Sequence, residues 1–114
     1  MPHIIIECSD QLIQRNDRQG ILQLVFDAAE ESGLFNTKDI KVRLRSYSDY
    51  LPGGEQHSFL HVFAHIMEGR TTEQKNALSR SVIQKLKALL PDVPVISMNV
   101  TDFEKTTYNN RDTV

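Results

Sequence analysis

Ser58-Phe59-Leu60-His61-Val62-Phe63-Ala64-His65-Ile66 alternates without a break, and a period of two is that of a β-strand. Leu60, Val62, Ala64 and Ile66 share one face, while Phe59, His61, Phe63 and His65 share the other. Both faces are apolar or aromatic, so both must be covered.

Upstream of this strand lies the first half of the chain. His3-Ile4-Ile5-Ile6-Glu7-Cys8 is a β-branched run that reads as a buried strand, and Ser9-Asp10 break it. A helix follows, with Ile21, Leu22, Val25, Ala28 and Ala29 at three- and four-residue spacing. Two starts compete: Leu12 and Ile13 open it early, whereas Asp17 is a capping residue and Gly20 weakens the first turn. Gly33 stands where a left-handed helix cap belongs, with Leu34-Phe35 packing back. Ile40-Lys41-Val42-Arg43-Leu44-Arg45 alternates apolar with basic residues and is a second strand. Pro52-Gly53-Gly54 marks a loop, in which His57 also falls.

Downstream, Thr71 and Gln74 have capping-box spacing. The helix they open carries Leu78, Val82, Leu86 and Leu89 as its apolar stripe and stops before Pro91. Val95 to Phe103 is a fourth strand, and the tail from Lys105 is polar with no predicted element. The order β-α-β-β-α-β predicts an α+β fold: one four-stranded mixed sheet, parallel within each βαβ crossover, with both helices on one face. Two helices cover only one face of the third strand. The patterning therefore predicts that the other face meets another subunit.

Composition narrows the classes of function. The 114 residues, 39% of them hydrophobic, suit one domain spanning 1–114. Thirteen basic and 15 acidic residues leave a net charge of −2, which argues against a nucleic-acid partner, since that needs clustered positive charge. The apolar runs are too short and interrupted for a membrane span. No secretory signal is evident at the start, so the cytoplasm is the expected compartment. Cys8 is the only cysteine; it makes no internal disulfide, and its ordinary role is that of a small buried apolar residue.

Few residues offer chemistry. Pro2 follows the initiator methionine, and removal of Met1 would leave a secondary amine at the head of an apolar strand. A chain α-amino group titrates near ~7.7–8.0, and burial or nearby cations lower that value toward the working range of a general base. Lys41, Arg43 and Arg45 share one face of the second strand, and Arg70 stands between the third strand and the second helix. Guanidinium forks bind carboxylates in bidentate fashion, although a solvated strand face is the commoner role for such charges. His61 and His65 are four residues apart on one face, too far for a compact metal site without outside ligands, and His3 points away from Pro2. Asp49 and Tyr50 either line a pocket or close a turn.

Met1-Pro2-His3-Ile4-Ile5-Ile6-Glu7-Cys8-Ser9 closely resembles the start of 5-carboxymethyl-2-hydroxymuconate isomerases of the tautomerase superfamily. The resemblance runs on through Ser32-Gly33-Leu34-Phe35, Ile40-Lys41-Val42-Arg43, Asp49-Tyr50-Leu51, Phe59-Leu60-His61-Val62 and Gly69-Arg70, to about residue 103. It implies a tautomerase-like double βαβ fold and a homotrimer whose sheets surround a central core. It also implies Pro2 as the acid–base group, and Arg70 with Lys41 or Arg43 as holders of substrate carboxylates. Lysine at position 41, where arginine also occurs in the family, cannot make the bidentate fork. The implied reaction converts a 2-hydroxymuconate-type dienol carboxylate to its conjugated 2-oxo-ene isomer, in aromatic-compound degradation, with no metal or organic cofactor. Two other readings compete. One is a binding module on the ferredoxin-like plan, with Phe59 and Phe63 exposed for base stacking. The other is an inactive trimeric member of the same family.

Overall fold

The computed structural model describes residues 1–55 and 58–114, so His57 lies outside the described residues. Four strands form the sheet: β1 (His3–Ser9), β2 (Lys41–Tyr47), β3 (Phe59–Met67) and β4 (Val95–Phe103). Their order across the sheet is β2-β1-β3-β4. β1 is parallel to β2, β3 is parallel to β4, and the two pairs join through antiparallel β1 and β3. Each βαβ unit is thus closed on itself, its two strands directly hydrogen-bonded. A ferredoxin-like sheet splits its βαβ units instead, so this topology excludes the ferredoxin-like reading.

The two competing helix starts are both used. α1 (Asp10–Arg15) ends at Asn16, whose backbone is extended and whose N–H and side-chain amide both donate to Leu12 O, at 3.1 and 2.9 Å. α2 (Arg18–Glu31) then restarts on Asp17, whose carboxylate accepts from Gln19 N. Its end is as expected: Gly33 has φ of +72°, a conformation that costs glycine nothing. A 3₁₀ turn (Thr37–Asp39) precedes β2 and takes Ile40 out of the strand, although Ile40 stays buried. α3 (Thr72–Leu89) opens with both halves of the Thr71/Gln74 capping box.

The apolar stripe of α3 corrects the sequence reading at its last position. Leu78, Val82 and Leu86 are buried, but Leu89 is 44% exposed and Leu90 only 2% exposed. The buried positions recur every four residues, and the next is Leu90, the helix cap, whose N–H donates to Leu86 O at 2.8 Å. A three-residue step to Leu89 turns the side chain off that line. Leu90→Ala is expected to cost about 2–5 kcal/mol in urea unfolding, whereas Leu89→Ala should stay within about 0.5 kcal/mol.

Ile4, Ile6, Cys8, Leu60, Val62, Ala64 and Ile66 form the inner face of the sheet and share one core with Ile21, Val25, Leu78, Val82 and Leu86 of the helices. Both long helices therefore lie on one side. On the other side Phe59, His61, Phe63 and His65 stay partly exposed. Burial pushes the Cys8 thiol up to about 11, consistent with an inert core residue. Among the described residues no helix is long and apolar enough to cross a membrane.

Candidate active site

Pro2 is fully buried and extends the inward alternation of Ile4 and Ile6 by one step. Its carbonyl accepts from Lys41 N at 3.3 Å, which ties the start of β1 to the start of β2. Its nitrogen is an amide here, because Met1 precedes it; only cleavage of that bond makes it basic. The register places His3 between Lys41 of β2 and His65 of β3. Residues on this pleat look away from the helices. The first strand thus presents its proline to the helix layer and its histidine to the open face.

Arg43 Nη1 contacts His3 Nδ1 at 3.2 Å. A guanidinium only donates, so Nδ1 accepts and the imidazole is neutral. Burial, and then the positive charges of Arg43 and Lys41, hold the His3 pKa below its ordinary value, which agrees with that state. Lys41 Nζ reaches back to the carbonyls of Lys38 and Asp39, at 3.2 and 3.3 Å. Glu7 on the same face accepts from the Tyr47 hydroxyl at 2.9 Å.

Arg70 is reached after Gly69, whose φ of +122° turns the chain off the end of β3. Its guanidinium donates to Leu34 O at 2.6 Å and to Met67 O at 3.3 Å, and lies 5.2 Å from the centre of the Phe35 ring. Arg70 therefore shares the Pro2 end of the sheet but is docked on the loop that follows α2. The sequence-predicted residues separate into two groups. Lys41 and Arg43 surround His3 on the open face, while Arg70 sits on the helix side. Two of its five donor positions are taken by backbone carbonyls, and three remain.

Sequence reasoning missed the aromatic pair beside this end. Phe103 and Tyr108 stack at 5.5 Å with 26° between their planes. With His3, Glu104 and Thr107 they line a cleft of about 250 Å³. Tyr108 lies in a polar tail with no periodicity, which leaves no local pattern to find it by. Tyr50 lines a different cleft, with Leu51, Phe59 and Val95, at the far end of the strands. His61 and His65 are held by β4: His61 contacts Ser97 Oγ and Asn99 Oδ1, and His65 contacts Thr101 Oγ1. Among the described residues no three His, Cys, Asp or Glu side chains converge as a metal site.

Two closed βαβ units in one mixed sheet, with both helices on one face, match the tautomerase-like plan that the sequence resemblance implies. Comparison with known proteins makes the assignment specific. A family model described as 5-carboxymethyl-2-hydroxymuconate isomerase matches residues 2–112, and the chain belongs to that family. It is 26% identical over 89 residues to the 5-carboxymethyl-2-hydroxymuconate Delta-isomerase of Escherichia coli, an alignment covering 76% of this chain and 71% of the relative. The crystal structure of a 5-carboxymethyl-2-hydroxymuconate isomerase from Deinococcus radiodurans R1 superposes with a TM-score of 0.84 at 18% identity, covering 96% of this chain and 88% of that one. A fused 4-OT solved as a wild-type symmetric trimer superposes with a TM-score of 0.81 at 21% identity, covering 98% and 94%. At these identities the superpositions establish the fold.

Proposed function

We propose that this isomerase ketonises a 2-hydroxymuconate-type dienol carboxylate, with the secondary amine of Pro2, freed by removal of Met1, as its proton shuttle. The observation that carries this reading is a fully buried proline at the head of β1, in a chain whose family match begins at that residue. The amine takes the proton from the 2-hydroxyl. The oxygen electron pair becomes the new C=O bond, and the displaced π electrons move along the diene. The distant carbon at its end then takes the proton from the prolinium. One base that becomes an acid suffices, and no cofactor enters the balance. Negative charge grows on oxygen during the transfer, and nearby cations stabilise it.

Lys41, Arg43 and Arg70 are assigned to the substrate carboxylates. Support comes from the unused donors of Arg70 and from Arg43 beside His3, at the same end of the sheet as Pro2. The assembly is assigned as a homotrimer, with Ile5 and Phe63 of the open face turned toward neighbouring copies. The trimeric fused 4-OT of the same fold supports it. The test is ultraviolet absorbance of a dienol substrate, with the amine free and with it blocked.

Arg70 provides a separate check. Arg70→Ala is expected to lose ~1.5–3 kcal/mol of transition-state stabilisation, roughly tenfold to a hundredfold or more in kcat/KM. Because Leu34 O also loses its donor, thermal unfolding must be measured alongside. A lower Tm with unchanged kcat/KM would leave Arg70 a purely structural residue. Arg45→Ala, one pleat beyond Arg43, should change kcat/KM far less.

A further inference from the structure

We infer that Tyr108 is a substrate-contacting residue of the Pro2 site. Its phenol donates a hydrogen bond to an oxygen of a planar unsaturated acid, and the Phe103–Tyr108 ring pair forms the wall along which the carbon chain lies. The location of the chemistry rests on the Pro2 reading; the contact itself is argued from the tail.

The tail is anchored at two points. Glu68 N donates to Phe103 O at 3.1 Å, and the Glu68 carboxylate accepts from Lys105 N at 2.6 Å. This exchange between the end of β3 and the end of β4 launches a 3₁₀ turn, Lys105–Thr107. Tyr108 N closes the turn on Lys105 O at 3.3 Å, and its ring falls back onto Phe103. None of these contacts involves Met1, so the ring keeps its place when Met1 is cleaved.

The hydroxyl is aimed at the N-terminus. It donates toward Met1 Sδ at 3.1 Å. A thioether is a weak acceptor, so a strong donor is held against a poor partner. Met1 is bonded to the Pro2 nitrogen through its carbonyl carbon, so its cleavage frees that nitrogen and takes the sulfur away from the phenol. An oxygen of a ligand entering there is a better acceptor than the sulfur it replaces. Asn110 Nδ2, at 3.5 Å from the phenol oxygen, sits on its acceptor side and leaves the O–H proton free to be given.

The surroundings suit a conjugated acid. The cleft is lined by the Phe103 and Tyr108 rings and by His3, which Arg43 contacts. Flat apolar walls with a few convergent polar groups are how small-molecule sites bind and orient their ligands. Arg43 and Lys41, beside His3, attract one carboxylate of such a diacid, while Glu104 lines the tail side of the cleft. The phenol is left to an oxygen at the other end, where the 2-hydroxyl stands beside the second carboxylate.

The experiment uses full-length protein with Met1 removed, unaltered and as Tyr108→Phe, which keeps the ring stack and loses only the hydroxyl. Binding of cis,cis-muconate, a planar diacid that cannot ketonise, is measured by calorimetry, and turnover is measured on a 2-hydroxymuconate dienol. Tyr108→Phe is expected to raise the muconate Kd and the dienol KM about three- to tenfold, the range of one hydrogen bond, with an unchanged Tm. Unaltered Kd and KM in the variant would overturn the inference while leaving the Pro2 reading in place. Weakened muconate binding in a protein that shows no turnover in any form would uphold the contact and remove the Pro2 mechanism. Failure of the unaltered protein to bind muconate at millimolar concentration would overturn the contact as well.

Discussion

Protein with a free Pro2 amine is expected to ketonise a 2-hydroxymuconate-type dienol about 10²–10⁴ times faster than protein in which Met1 or a tag remains attached, the usual contribution of a general acid–base group. Acylation ties the nitrogen lone pair into an amide, and the retained Met1 also keeps its sulfur against the Tyr108 phenol. The blocked sample should stay folded, because the core residues Ile4, Ile6, Val62 and Ile66 do not depend on a free amine. The rate of the free form should fall as pH drops and the amine is protonated. An α-amino group ordinarily titrates near ~7.7–8.0, and burial of the kind seen at Pro2 disfavours the charged form and moves the fall to lower pH. Pro2→Ala keeps a primary amine and is the weaker comparison. Equal turnover by free and blocked protein would remove Pro2 from the mechanism and, with it, the assigned reaction.

Phe63→Asp and Val62→Asp should separate assembly from folding. The two residues are neighbours on β3 but face opposite ways. Val62 is fully buried among the helices, while Phe63 stands on the open face between His61 and His65, with ring centroids 4.4 and 6.3 Å away. An unpaired charge in a dry core costs several kcal/mol, so Val62→Asp is expected to unfold the protomer. Phe63→Asp leaves the protomer core intact. In a trimer it would bring three carboxylates toward one apolar centre, and the assembly should fall apart into folded monomers. Light scattering at micromolar concentration, with circular dichroism beside it, reads both outcomes. A Phe63→Asp protein of unchanged trimeric mass would show that the open face is not where copies meet.

Much of the fold is legible because its signals are local. The alternation of residues 59–66, the β-branched run 3–8 and the Thr71/Gln74 capping box each act over a few residues, and each element formed, with Ser9 joining β1 rather than breaking it and β3 running on to Met67. Errors arose where a choice depended on distant partners. Leu89 and Leu90 are equally apolar, and only the line set by Leu78, Val82 and Leu86 across the sheet selects Leu90. The first helix offered two starts, and the chain uses both, broken at Asn16 where the amide and backbone converge on Leu12 O.

For the candidate site the division is sharper. Pro2 after the initiator methionine, Lys41 and Arg43 on one face of β2, and Arg70 after β3 are visible in the sequence, and the family resemblance implies their roles. Their relation is not visible. Strand alternation sends Pro2 inward and His3 outward, so Lys41 and Arg43 gather on the open face, while Arg70 folds onto Leu34 and Phe35. Tyr108 is 107 positions from Met1 and meets it through a turn pinned by Glu68.

The sequence by itself determined the four strands, the two long helices, their order and the two apolar faces of β3, since these depend on periodicities the backbone imposes within one element. Only the tertiary structure decided that β1 and β2 pair directly, which separates this topology from the split plan with the same element order. It also brought the tail to the N-terminus, because contacts between residues far apart in the chain depend on how whole elements pack together.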